Sequence, residues 1–181
     1  MAESSIYLLA MKGHPATGKS SLADALARTL RWPLIDKDDI KDHTRPLPAG
    51  NSLAYSILWQ LAARQLSLGI SVIVDSPLSY PIGYTTAMSL VQRYQARLLV
   101  VETSLDEVSW RGRLEARPAD ESTHKIRGWQ TMQAQLEMYA DCWRYPIHPD
   151  HHLVVDTAQP LEQLVQRVQM QIAPDPSKFR S

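Results

Sequence analysis

One cysteine, Cys142, stands in 181 residues, so no disulfide can form within the chain, and a reducing compartment suits it. An excess of either charge is missing too, because 19 Lys and Arg balance 19 Asp and Glu. That balance argues against a protein that coats nucleic acid or docks on a membrane through a polybasic surface, although a local basic patch survives the averaging. No apolar run approaches the roughly 20 residues that cross a bilayer. The opening Met1-Ala2-Glu3-Ser4-Ser5 lacks the charged and apolar regions of a signal peptide. There is no internal repeat and no low-complexity block. What is present is 44% hydrophobic and 21% charged residues, enough apolar surface for one packed core and too much for a disordered chain. The expectation is a soluble, cytoplasmic, single domain over residues 1–173 with a flexible tail at 174–181. It should have no membrane or nucleic-acid partner and be a monomer or a homodimer.

Apolar runs of strand length alternate with helical patterns along the whole chain. Ile6 to Met11, Leu34-Ile35, Ile70 to Val74, Leu98 to Val101 and Leu153 to Val155 read as strands, the longer ones continuous enough to be buried on both faces. Between them, Ser20 to Arg31 carries Leu22, Ala23, Leu26, Ala27 and Leu30 at helical spacing, and Pro33 stops it. Helices are also expected over Ser52–Leu68, Tyr84–Tyr94, Ser104–Arg117 (opened by a Ser104/Glu107 capping box), Trp129–Trp143 and from Pro160 to about Ile172. This rhythm predicts a three-layer α/β/α sandwich around a five-stranded parallel sheet, with ligands beyond the carboxyl ends of the strands.

The run Gly13-His14-Pro15-Ala16-Thr17-Gly18-Lys19-Ser20 satisfies G-x-x-x-x-G-K-[ST] at every position, with an apolar strand just before it and an amphipathic helix starting within it. Polyphosphate oxygens need many N–H donors aimed at one point, and glycine lets the backbone bend and come close. The helix N-terminus adds positive potential, so Gly13 through Ser21 are the expected nucleotide contacts. Lys19 would place a compact cation on the terminal phosphates and the Ser20 hydroxyl would serve Mg²⁺. The motif signals nucleoside triphosphate binding, with ATP as the expected nucleotide; it does not say what becomes of the terminal phosphate.

Three strand ends carry acids: Asp36/Asp38, Asp75 and Asp156. Phosphoryl transfer to an alcohol needs an acceptor oxygen held in line and a group to take its proton. Asp38 fits that position, with Asp36 and Asp39 beside it. The competing reading makes Asp38 or Asp39 the cap of a turn at Ile40-Lys41. Asp75 has the place of a Walker-B-like acid serving Mg²⁺ or the acceptor; an Asx-turn with Ser76-Pro77 is its plainer reading. Asp156 and Thr157 can line an adenine pocket, or Asp156 can simply cap.

Arg111, Arg113 and Arg117 fall before a polar stretch, with Arg113 and Arg117 four apart and so on one helix face. They read either as lid arginines, in a lid spanning approximately residues 111–128, or as a solvated face paired with Glu107, Glu115 and Glu121. His148, His151 and His152 cluster without a cysteine nearby or a helical register, a weak pattern for a metal site. Five tryptophans, including Trp59, Trp129 and Trp143, read as core or pocket wall, since no basic run accompanies them.

In this order, the phosphate loop, Asp38-Asp39-Ile40-Lys41, Val74-Asp75-Ser76-Pro77, Arg113 to Arg117 and Val155-Asp156-Thr157 resemble the small P-loop kinases of the zeta-toxin and chloramphenicol-phosphotransferase type. These belong to the broader nucleoside and shikimate kinase fold, and the resemblance spans roughly residues 6 to 172. It implies ATP-dependent phosphorylation of a small-molecule hydroxyl, with Asp38 as base and Arg113 and Arg117 as lid arginines. The family commonly has arginine where this chain has Lys41, so a bidentate fork is lost there. Two other readings stay open: a nucleotide or polynucleotide kinase, which zero net charge disfavours for the polynucleotide case, and an ATP-binding switch with slow hydrolysis. GTPase switches usually carry an Asn-Lys-x-Asp guanine signature, and none occurs here, where Asn51 is the only asparagine.

Overall fold

The computed structural model describes residues 5–118 and 126–172. Five strands, β1 (Tyr7–Lys12), β2 (Leu34–Asp36), β3 (Val72–Asp75), β4 (Arg97–Ser104) and β5 (His152–Asp156), form one parallel sheet in the order β2-β3-β1-β4-β5. β1 lies at the centre, with Ala10 in register with Val74 on one side and Val100 on the other. After β3 the chain passes β1 to lay down β4, so the crevice at the strands' carboxyl ends opens beside β1.

Alternate residues of the central strands feed two cores. Leu8, Ala10, Val72, Val74, Leu98 and Val100 pack on α3 (Gly50–Ser67) and α4 (Pro81–Tyr94) through Leu58, Ala62, Ala87 and Val91. Leu9, Met11, Ile73, Leu99 and Val101 face α1 (Lys19–Leu30) and α7 (Leu161–Ile172), where Leu22, Leu26, Leu164 and Val168 meet them. This is the expected three-layer sandwich. Truncating a fully buried leucine such as Leu26 or Leu58 to alanine costs about 2–5 kcal/mol. A third, smaller cluster joins α5 (Glu107–Glu115) to α6 (Trp129–Tyr139) through Trp110, Leu114, Met132 and Tyr139, and it leans on Ala16 of the phosphate loop.

Several boundaries differ from the sequence expectation. A helix, α2 (Lys37–Thr44), occupies the acidic stretch after β2. Its only large apolar residue is Ile40, so periodicity could not reveal it; the Asp36 carboxylate caps it by accepting the Asp38 N–H at 2.7 Å. Neither Asp38 nor Asp39 is the cap. Ser104 ends β4 instead of opening a helix, and Asp106 caps α5 by accepting the Ser109 N–H at 2.9 Å. α5 ends at Glu115, so Arg117 follows the helix. α6 gives way at Tyr139 to a 3₁₀ turn that ends at Trp143. The expected tail at 174–181 and residues 119–125 of the expected lid at approximately 111–128 lie outside the described residues. Among those described, no helix is long and apolar enough to cross a membrane.

Candidate active site

The loop between β1 and α1 is bent by contacts that demand small residues. A Cβ on Gly13 would lie 2.0 Å from Thr103 Oγ1 and 2.9 Å from Thr17 Oγ1. Gly18 has φ +85°, and its Cβ would crowd Arg113 Nη1 at 3.1 Å. Thr17 is buried and ties the loop together: its hydroxyl donates to the His14 carbonyl at 2.8 Å and meets Thr103 Oγ1 at 2.7 Å, while its carbonyl accepts from the Thr157 hydroxyl at 2.7 Å. Gly18 has no side chain to cap α1, so first-turn amides are left for a ligand.

One cleft of about 1280 Å³ runs over this loop. That exceeds the 300–1,000 Å³ usual for one small-molecule site and leaves room for a donor and an acceptor together. Gly13, His14, Pro15, Ala16, Gly18, Lys19, Ser20 and Ser21 line it, as do Asp38, Arg113, Arg117 and Thr157. The structure therefore gathers most of the residues singled out in the sequence.

Lys19 forms an ion pair with Asp75 Oδ1. Asp75 is only 1% exposed, and its Oδ2 has no hydrogen-bond partner among the described residues. It lies beneath the cleft lining, as the buried Thr17 does, and is reached through Lys19, which lines the cleft; no Asx-turn bond with Ser76 or Pro77 accompanies it. Asp36 sits across from Asp75 in the β2–β3 register. Burial, then the Asp75 charge, pushes the Asp36 carboxyl up to about 6. Asp36 is thus occupied as a cap at the sheet edge, while Asp38, two residues on, lines the cleft.

Arg113 reaches Thr157 beside the loop, donating from Nη2 to the Thr157 carbonyl at 2.7 Å and from Nη1 to Thr157 Oγ1 at 3.4 Å. Arg117 donates to the Ile126 carbonyl at 2.9 Å. Glu115 accepts the Trp129 N–H at 3.0 Å and so ties α5 to α6; Glu121 lies outside the described residues.

The strand-end reading of Asp156 needs correction. Asp156 does not line the cleft: it is exposed, and its carboxylate accepts the Ala158 N–H at 3.0 Å in a turn. Gln159 and Leu161 line that wall in its place. The three histidines are spread over separate partners: His152 Nε2 lies 2.8 Å from Glu102 Oε2, His151 Nδ1 lies 3.1 Å from the Tyr84 hydroxyl, and His148 Nδ1 accepts the Asp150 N–H at 3.3 Å.

Sequence reasoning missed an aromatic brace on the loop. The His14 ring stacks on Trp143 at 3.6 Å between centroids and on Trp110 at 5.1 Å, while Trp110 Nε1 donates to the Pro15 carbonyl at 2.7 Å. Burial, then the Lys12 charge, pushes His14 down to about 4 and keeps its imidazole neutral. Lys12 itself bonds Glu102 Oε1 at 2.9 Å and lies 4.0 Å from the Trp143 centroid. The acceptor-side walls were missed as well: Lys37, Tyr55, Tyr80 and Tyr139 line the cleft. Only the Asp36-to-Asp38 spacing pointed towards them.

A glycine-bent loop entering α1 beside the central strand of a parallel sheet, with Lys19 on a strand-end acid, defines a P-loop nucleotide-binding protein of the kinase fold. The chain belongs to the AAA domain family (AAA_33), whose model matches residues 8–139. Among solved structures it is similar to a protein from Chloroflexus aurantiacus provisionally described as a kinase, at 25% identity and TM-score 0.73, over 92% of this chain and 98% of that one. It also resembles the APS kinase of Mycobacterium tuberculosis in complex with AMPPNP and APS, at 16% identity and TM-score 0.67, over 93% and 98% of the two chains. A gluconokinase from Sinorhizobium meliloti 1021 matches at 20% identity and TM-score 0.62, over 94% and 92%. No curated protein matches the sequence.

Proposed function

We propose that this protein is an ATP-dependent phosphotransferase that moves the γ-phosphate to a hydroxyl of a small molecule. The observation that carries the reading is one cleft lined together by Lys19 and the loop, Asp38, Arg113 and Arg117. The resemblance to the zeta-toxin and chloramphenicol-phosphotransferase type supports it, as do the kinase names of the structural relatives.

Lys19 and the first-turn amides of α1 hold the phosphates, which requires Lys19 to exchange Asp75 for the nucleotide. The residues present fit Mg²⁺: Ser20 offers a hydroxyl in the cleft and Asp75 a buried carboxylate oxygen with no other partner among the described residues. Bound there, the ion would neutralise charge on the phosphates. Asp38 accepts the proton of the attacking hydroxyl, and its place in the first turn of α2 fixes it relative to the sheet edge. Arg113 and Arg117 stabilise charge spreading over the transferred group and close the cleft against water, a competing acceptor.

The test is ADP release with and without a panel of alcohols, sugars, hydroxy acids and nucleosides. Acceptor-stimulated release, lost in Asp38→Asn, is expected. Release that no acceptor alters would replace this reading with a slow hydrolase acting as a switch.

A further inference from the structure

Lys37 is placed where a lysine is hard to keep. It is the first residue of α2, where the helix macrodipole disfavours a cation. Its side chain is 7% exposed. Lys41, one turn on, lines the same cleft, and like charges at that spacing repel. Burial first, opposed by Asp38 and reinforced by Lys41, holds the Lys37 ammonium below its usual range.

Nothing described in the chain offsets these costs fully. The Lys37 ammonium makes no hydrogen bond among the described residues; Asp38 Oδ1 is 3.7 Å away, too far for one, and the Tyr55 ring centroid lies at 5.2 Å. An ammonium carries three donors. Lys37 lines the cleft beside Asp38, Lys41 and Tyr55, so these donors are within reach of a ligand there. An anionic oxygen group set between Lys37 and Lys41 would satisfy the donors, cancel the repulsion and offset the burial at once.

We propose that Lys37, with Lys41, binds an anionic group of the phosphate acceptor, so that the acceptor is a hydroxyl compound carrying a carboxylate or a phosphate. The inference rests on the transferase reading for the word acceptor, and on geometry alone for the anion site. A specificity-determining role follows: the hydroxyl to be phosphorylated lies near Asp38 while the anionic end of the same molecule is held one residue away.

The experiment uses the full chain saturated with Mg²⁺ and a non-hydrolysable ATP analogue, which fills the phosphate loop. Inorganic phosphate, D-glycerate and glycerol are titrated by calorimetry into the wild type, Lys37→Met and Lys37→Arg. The wild type should bind phosphate and D-glycerate but not glycerol, and the tighter of the two anions identifies phosphate or carboxylate as the preferred group. Lys37→Met should weaken both anions by roughly 10–100-fold without changing affinity for the ATP analogue. Lys37→Arg, which keeps the charge, should retain anion binding and so guards against a folding defect in the first variant. Glycerol binding as well as D-glycerate, anions binding nowhere on the wild type, or anion affinity unmoved in Lys37→Met would each overturn the proposal. Anion binding that needs Lys37, together with ADP release that no acceptor stimulates, would uphold the site and sink the transferase reading instead.

Discussion

At the end of the cleft proposed for the phosphates the chain offers one contiguous stretch, Gly13 to Ser20; at the end proposed for the acceptor it assembles side chains from α2, α3, the turn after β3, and α6. The first end is held by hydrogen bonds internal to the protein, from Thr17, Thr103 and Thr157. The second presents the Lys37 ammonium, which makes no hydrogen bond among the described residues and lies 3.7 Å from Asp38 Oδ1 and 5.2 Å from the Tyr55 ring centroid. A nucleotide's phosphates are the same for every kinase, so a rigid, local solution serves. An acceptor must be discriminated, and discrimination calls for groups whose partner is the ligand.

The largest effect should come from breaking the phosphate end. Lys19→Ala should lower acceptor-stimulated turnover by about 10³-fold or more. It also strands the buried Asp75 carboxylate, so the melting temperature should fall as well. Adding Asp75→Asn should restore the melting temperature and leave turnover low, which separates stability from chemistry.

At the other end, Asp38→Asn should cut phosphoryl transfer by roughly 10²–10⁴ while nucleotide affinity stays near the wild-type value. Asp36→Asn should transfer at close to the wild-type rate, because asparagine caps a helix as well as aspartate does. If the two variants exchange these behaviours, the base lies on the cap residue and the comparison fails at its acceptor end.

Smaller changes sharpen how the loop is held. Gly13→Ala drives a methyl into Thr103 Oγ1 and should destabilise the protein by about 1–3 kcal/mol, measured by chemical denaturation. Trp110→Phe removes the indole bond to the Pro15 carbonyl and should cost about 1 kcal/mol, with only a few-fold loss of nucleotide affinity.

The smallest expected effect is a pH dependence. The folded state holds the Asp36 carboxyl at about 6 against an ordinary 3.8, so the folded chain keeps that proton where the unfolded chain has lost it. The stability this contributes is full below about pH 4 and is lost as pH rises through 6. Melting temperatures of Asp36→Asn should therefore gain on the wild type between pH 4 and pH 7; a constant difference would contradict the burial of that carboxylate.

The same division explains what the sequence could disclose. The phosphate loop was legible because its chemistry is contiguous: strand, glycine turn, Lys19 and helix follow one another. The sheet was legible because doubly buried strands read as apolar runs. α2 was not, since with one large apolar residue it is specified by its cap and by charges placed along its axis. Lys37 and Tyr55 come from different helices, and the His14 stack needs residues about one hundred positions apart, so no spacing announces either. Asp156 was misassigned to the cleft because a strand-end acid looks alike whether it faces a ligand or closes a turn.

Under the proposed function, the two ends of the cleft act on one phosphoryl group. The direct measurement supplies ATP with a heavy-oxygen-labelled γ-phosphoryl to the protein and a pool of small metabolites, then follows the label by mass spectrometry. The wild type should yield a labelled phosphomonoester of one acceptor class, and Asp38→Asn none. Label appearing only as inorganic phosphate, at the same rate in both, would contradict the proposed function.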